Sequence, residues 1–297
     1  MSLPHGKELV VALGGGHGLA SSLRALVLAG ASPVGVVSVA DDGGSSGRLR
    51  EEFGMHPPGD VRKCLVALAR SESVWTSVFD FRFDSGELAG HSLGNLIIAG
   101  LTEVTGDFTK AIKLAQELIG VEGSLLPSAV APLTLCAKAG EEIIEGQAKV
   151  VQTSCIDSVF TIPENPLVPE SVLDAIGTAK TIVVGPGSLF TSVLAVLCVP
   201  KIKAAVRASL AKKIYVVNLR PQQFETLGFD ISDHIRALLR HGFVPDLILA
   251  DNAYMELGDS RTLCESIDAE LVVCSLADEF GGLHDPELLA DAFKRLV

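Results

Sequence analysis

Apolar residues along this chain fall in short runs separated by stretches of helical spacing. Glu8-Leu9-Val10-Val11-Ala12-Leu13 reads as a buried strand, and after Gly14-Gly15-Gly16-His17-Gly18 the residues Leu19, Leu23, Leu26 and Val27 recur at helical intervals. Val34 to Val39 forms a second apolar run behind Gly30 and Pro33, completing a strand-helix-strand unit with an expected right-handed crossover. Helical patterns follow His91-Ser92-Leu93-Gly94-Asn95 and run across Asp107 to Ile119. Thr181-Ile182-Val183-Val184 then leads through Gly185-Pro186-Gly187-Ser188 into a helix from Leu189 to Leu197. Lys213 to Val217, Asp246 to Leu249 and Glu270 to Val273 read as further strands, with helices at Ile231 to Arg240 and Pro286 to Leu296. This alternation predicts an α/β fold built on a doubly wound, mostly parallel Rossmann-like sheet.

Two stretches read differently. Pro57-Pro58-Gly59-Asp60 is turn chemistry that places Asp60 as the N-cap of a helix from Val61 to about Arg70. Between about residues 127 and 162 the pattern alternates, with Pro132 to Ala137 and Ala148 to Thr153 as candidate strands of a small antiparallel, β-rich insertion. The whole chain, residues 1–297, is read as a single Rossmann-like domain carrying that insertion.

Composition supports a folded core and narrows the partners. Hydrophobic residues make up 48% and aromatics only 5%, so the core must be aliphatic, as suits parallel strands covered on both faces. The formal charge of −12 repels nucleic acid and anionic membrane surfaces, whereas a compact diphosphate can still be held locally by oriented backbone N–H groups. Cys64, Cys136, Cys155, Cys198, Cys264 and Cys274 are widely spaced and read as reduced core thiols. Met1 to Gly6 lacks the apolar stretch of a signal peptide, and no later run suits membrane insertion, so a cytoplasmic protein is expected. A homo-oligomer is compatible with this sequence, and no regulatory protein partner is named by it.

The glycine run sits where a phosphate loop belongs, between a first strand and a first helix, so Gly14, Gly15, Gly16 and Gly18 let a diphosphate approach backbone donors and His17 could donate as well. It departs from the dinucleotide fingerprint, because Leu19 occupies the third glycine position, and it lacks the Gly-Lys-Ser/Thr ending of a Walker loop. A tight turn requiring positive φ is the plainer alternative. Asp41-Asp42-Gly43-Gly44-Ser45-Ser46-Gly47-Arg48 follows the second strand, where an acid accepts ribose hydroxyls in Rossmann-type proteins. No resident cofactor follows from the sequence, although Asp41 and Asp42 could hold Mg²⁺ beside a nucleotide diphosphate. They are also the candidates for catalysis if any occurs; a solvated turn is the alternative. Arg48 could offset phosphate charge. Gly185, Gly187 and Ser188 form a second strand-turn-helix junction, with Ser188 better suited to an N-cap than to a nucleophile because no Gly-x-Ser-x-Gly elbow surrounds it. The polar loop from Asn218 to Thr226 could read a base edge or a sugar. The seven histidines are dispersed, which argues against a zinc site.

Taken in order, Gly14-Gly15-Gly16-His17-Gly18-Leu19, Val39 to Leu49, Pro57-Pro58-Gly59-Asp60-Val61-Arg62, His91-Ser92-Leu93-Gly94-Asn95, Gly185 to Leu189 and Asp233-His234-Ile235 resemble the YvcK-like family of gluconeogenesis factors, within the superfamily of the CofD-type 2-phospho-L-lactate transferases. The resemblance implies a Rossmann-like fold and a bacterial protein needed for cell shape and cell-wall synthesis on gluconeogenic carbon. It also implies binding of a UDP-sugar such as UDP-N-acetylglucosamine and brings no established reaction; Asn95, Ser45 and Ser46, within these motifs, are further ligand-binding candidates. The chain departs from the family's common forms at His17, where Thr is usual, at Arg220-Pro221-Gln222, where Met-Thr-Gln is usual, and at Leu283, where Arg is frequent. The expected function is a regulatory nucleotide-sugar-binding protein. The alternatives are a CofD-type transferase moving a phosphorylated group to an acceptor alcohol and, less well supported by the glycine pattern, an NAD-dependent oxidoreductase.

Overall fold

The computed structural model describes residues 8–70 and 73–296. The chain opens with β1 (Val10–Gly14), α1 (Gly16–Leu28), β2 (Val34–Val37), α2 (Gly44–Phe53) and α3 (Gly59–Leu68). Then come α4 (Val74–Asp80), α5 (Leu93–Thr105), α6 (Phe108–Ile119) and β3 (Ser124–Pro127). A segment of β4 (Thr134–Ala139), β5 (Glu142–Glu145), α7 (Gln147–Val150) and β6 (Ser158–Ile162) interrupts the alternation. It resumes with α8 (Glu170–Thr178), β7 (Thr181–Val184) and a π-helical turn at Leu189–Val193 that continues into α9 (Leu194–Leu197). The chain is completed by α10 (Pro200–Ala208), β8 (Lys212–Val216), α11 (Ile231–Arg240), β9 (Leu247–Ala250), α12 (Ser260–Ser266), β10 (Glu270–Val273) and α13 (Pro286–Leu296).

Seven strands form one sheet in the order β10-β9-β8-β7-β1-β2-β3, and every neighbouring pair is parallel. Strands β1, β7 and β9 are buried along their whole length, as runs of Val, Ile, Leu and Ala must be when helices cover both faces. From β1 the chain steps outward through β2 to β3, and from β7 it steps the other way to β10. The order therefore reverses between β1 and β7, where the loops leaving the two strands part and open a crevice at their carboxyl ends. One core cluster runs from the sheet into α1, α3 and α13 and on to Leu135, Ala137 and Val159 of the smaller sheet. That smaller sheet is antiparallel in the order β5-β4-β6, with β4 and β5 joined by a two-residue turn at which Gly140 takes φ +62°.

Several local expectations are corrected. Asp60 is not the N-cap of α3: the Pro58 carbonyl accepts the Arg62 N–H at 2.8 Å, so Pro58 holds the cap position and Asp60 lies inside the first turn. Ala148 to Thr153 is no strand. Gly146 turns the chain at φ +101° and the Asp42 carboxylate accepts the Ala148 N–H at 2.7 Å, so the start of a helix outcompetes a β-prone composition. The insertion is accordingly β-rich only on either side of α7. Helix α2 starts inside the glycine-serine motif that reads as a turn, and β3 pairs with β2 where the sequence shows no strand. All six cysteines are free, but Cys155 is exposed and so is not a core thiol. Among the described residues no single helix is long and apolar enough to cross a membrane.

Candidate functional site

The two glycine turns leave adjacent strands, β1 and β7, and meet at the crevice. Gly18 makes this contact possible, because a Cβ there would come within 2.1 Å of the Pro186 carbonyl oxygen. Ser22 fastens the junction by donating to the Gly185 carbonyl at 2.6 Å. Gly16 requires its own residue type, since it takes φ +58° at the start of α1. No side chain caps α1, and among the described residues no acceptor takes the amides of Gly15, Gly187 or Ser188. Free N–H groups and the positive end of the α1 dipole thus face the same space.

That space is a cavity of about 450 Å³, large enough for a nucleotide-sized ligand. One wall is Gly15, Gly16, His17, Gly18, Asp41, Asp60 and Lys63; the other comes from Gly187, Ser188, Thr191, Asn218 to Gln222 and Gly282 to His284. Gln147 and Val151, at the two ends of α7, also line it, so the inserted segment forms part of the enclosure. His17 is exposed, and desolvation followed by the Lys63 ammonium holds its pKa below the ordinary value.

The acidic end is not the Asp41–Asp42 pair of the sequence. Asp41 turns inward, accepting the Gly43 N–H at 3.1 Å, and its pKa is raised by burial and then by the neighbouring Asp60 charge. Asp42 turns away to cap α7 and does not line the cavity. Asp60 takes its place: its carboxylate accepts from Lys63 Nζ at 3.0 Å, and a Cβ at Gly15 would come within 3.0 Å of it. A bare diphosphate set against Gly15 would meet two carboxylates, one of them paired with the Lys63 ammonium. Two oxygen-donor acids with phosphate beside them are, however, the donor set that a hard divalent cation takes. Asp41 and Asp60 are thus the residues able to hold Mg²⁺.

The remaining sequence candidates stand behind the lining. Gly14 closes β1, its carbonyl accepting the Ser38 N–H at 2.9 Å, and Gly185, at φ +79°, would bring a Cβ within 2.8 Å of the Val216 carbonyl. Ser46 accepts the Gly59 N–H at 3.0 Å, and its hydroxyl beside Asp41 partly opposes the rise of that carboxyl's pKa. Ser45 binds the His91 ring at 3.1 Å and accepts from the Asn95 amide at 3.2 Å, leaving Asn95 Oδ1 buried and without a partner. Arg48 is exposed and reaches the Ala89 carbonyl at 3.4 Å. Thr226 is wholly buried, its hydroxyl accepting the Gln222 N–H at 2.7 Å.

Three features of the second wall were absent from the sequence reading. The Arg220 guanidinium lies 4.0 Å above the Tyr254 ring and donates from Nε to the Gly281 carbonyl at 2.7 Å, tying two loops together at the rim. His284 is held neutral, its pKa lowered to about 4 by burial, while its ring contacts the Val217 carbonyl at 3.1 Å. Glu225 is buried beneath Ser188. The polar loop holding Arg220 and Glu225 is visible in the sequence, but its contacts with Tyr254, Gly281 and Ser188 are not, because fold-distant loops bring them together.

Comparison with known proteins agrees with this architecture. The family model described as 2-phospho-L-lactate transferase CofD matches residues 10–271. Gluconeogenesis factors of Halalkalibacterium halodurans and Bacillus subtilis are 42% and 41% identical, each over 82% of this chain, and the matches span 77% and 78% of those proteins. A Thermotoga maritima relative is 38% identical over 97% of this chain and 98% of its own length. A crystal structure of a UPF0052-family protein from Bacillus halodurans superposes with a TM-score of 0.92 at 35% identity, covering 97% of this chain and 99% of that one. The chain therefore belongs to the CofD family, in the branch whose relatives carry the name gluconeogenesis factor.

Proposed function

We propose that this protein binds a nucleotide-sugar diphosphate of the UDP-N-acetylglucosamine kind and acts as a regulator of cell shape and envelope synthesis during gluconeogenic growth. The observation that carries the binding reading is the meeting of two glycine turns, with unspent amides, over one cavity. The regulatory role rests on the relatives' name, gluconeogenesis factor. In this reading the diphosphate lies along Gly15 to Gly18 and Gly187-Ser188, and Lys63 offsets part of its charge. The sugar or base extends toward Asn218, Arg220 and Gln222, whose amide and guanidinium groups can read polar edges.

Calorimetric titration with UDP-N-acetylglucosamine, GDP and NAD tests this. The UDP-sugar should bind with the lowest Kd. Tight NAD binding without UDP-sugar binding would overturn the reading.

One observation favours a second reading, transfer of a phosphorylated group to an alcohol: Asp41 and Asp60 share the cavity with Lys63 beside the phosphate turn. A Mg²⁺ bound there would supply charge neutralisation at the diphosphate. Asp41 would orient the acceptor hydroxyl, while the turn amides stabilise developing charge. Turnover of a nucleotide-diphosphate donor with an added alcohol, lost in Asp41→Asn, is the outcome that would replace the regulatory reading.

A further inference from the structure

The second wall contains a buried carboxyl group with no cation beside it. Glu225 is 2% exposed and forms no ion pair among the described residues. Its backbone is set by its neighbours: Phe224 takes the left-handed φ of +70°, rare for an aromatic residue, and Thr226 is anchored to the Gln222 N–H. Glu225 Oε1 accepts from the Ser188 hydroxyl, and Ser188 Oγ also contacts Thr191 Oγ1. Ser188 and Thr191 line the cavity, and Glu225 Oε2 is buried without a partner among the described residues.

Glu225, Ser188 and Thr191 thus form a run of oxygens leading from the interior to the cavity. An ionised carboxylate only accepts hydrogen bonds, so it draws the Ser188 proton inward and Thr191 completes the same orientation. The cavity then meets hydroxyl lone pairs, which repel phosphate oxygen. A protonated Glu225 adds one proton to the run, donates to Ser188, and allows a hydroxyl to donate outward. We infer that Glu225 is a positioning residue for the Ser188 and Thr191 hydroxyls, so that a diphosphate ligand binds together with one proton taken up by the Glu225 carboxyl. The inference rests on the diphosphate reading of the cavity given above. The proton comes from solvent buffer; one O–H bond forms at Glu225 and one breaks in the buffer acid.

Burial supports the exchange by raising the Glu225 pKa to about 7, against the opposing pull of the two hydroxyls. The charged and titratable groups around the cavity are Asp41, Asp60, Lys63 and His17 on the first wall, and Arg220 and His284 on the second. His284 stays neutral near pH 7, whereas His17 and Asp41 are the competing sites of proton uptake on anion binding. An anion at the Ser188 amide raises the carboxyl pKa further by like-charge repulsion. Affinity should then fall as the pH rises above 7, by at most about tenfold per pH unit for one linked proton.

The test is calorimetry with UDP-N-acetylglucosamine, whose diphosphate diester does not itself titrate near neutrality, in HEPES and in Tris between pH 6.5 and 9. The natural chain should show buffer-dependent heats that report proton uptake, and a Kd that rises with pH. Glu225→Gln should bind with no uptake and a flat pH profile, while His17→Gln keeps the uptake. Should Glu225→Gln fail to fold, Ser188→Ala carries the test, since cutting the link from carboxyl to cavity should reduce the uptake. Uptake that survives in Glu225→Gln, whether or not His17→Gln removes it, would overturn the inference and leave the ligand assignment intact. Absence of any UDP-sugar binding would overturn both.

Discussion

The two glycine turns look alike in sequence and are built differently. At Gly14 to Gly18 the backbone does everything: no side chain caps α1, Gly16 supplies a positive φ, and Gly18 lets the neighbouring turn approach. At Gly185 to Ser188 a side chain is added, because Ser188 accepts the Thr191 N–H at 3.3 Å and donates to the buried Glu225. The first is a fixed cradle whose backbone donors do not depend on pH, with the exposed His17 as its one titrating side chain. The second is wired to an ionisable group, so its donor pattern can change with protonation. Two turns facing one cavity therefore need not respond to solution conditions in the same way.

The largest effect should come from separating the turns. Gly18→Val places a branched side chain where even a Cβ would meet the Pro186 oxygen at 2.1 Å. The backbone must move, at a cost of about 3 kcal/mol or more. A fall of about 5 °C or more in Tm, with loss of UDP-sugar binding, checks this by calorimetry. Unchanged stability would mean that the turns do not touch.

Glu225→Gln should act next, and only at one end of the pH scale. The folded carboxyl has its pKa raised to about 7 from an ordinary 4.5, so the native state holds a proton that the unfolded chain has lost between those values. Stability is full below about pH 4.5 and declines as the pH rises through 7. The glutamine variant lacks this decline, and relative to its offset at pH 4 it should gain up to about 3 kcal/mol by pH 8. Denaturant unfolding at pH 4, 6 and 8 reads the difference; parallel curves would remove the buried charge from the second turn.

The smallest effect belongs to Asp42, which stands outside both turns. Asp42→Ala removes the cap on α7 and should cost about 1 kcal/mol, with little change in affinity unless α7 moves from the cavity mouth. A large loss of affinity with no loss of stability would return Asp42 to the binding site.

The sheet was readable because its strands are continuous apolar runs between helices of clear period. Glu270–Val273 and the helices Ile231–Arg240 and Pro286–Leu296 stand where the pattern puts them. Helix α2 was not readable, since Gly44-Ser45-Ser46-Gly47 has low helix propensity and only a narrow apolar stripe follows it. Ala148 to Thr153 misled because its cap, Asp42, lies 106 residues away in the chain. The same distance effect hid much of the cavity. Gly15 and Ser188 announce themselves by composition at strand ends, but Asp60 carries the signature of a helix cap, and Glu225 faces Ser188 only after the turn at Phe224.

The central claim is that amides from both turns converge on one diphosphate. Amide-resolved NMR of the deuterated, ¹⁵N-labelled protein during titration with UDP-N-acetylglucosamine tests it most directly. Gly15 and Gly16 should shift together with Gly187 and Ser188, all following a single saturation curve. Shifts confined to one turn, or separate curves for the two, would contradict the account.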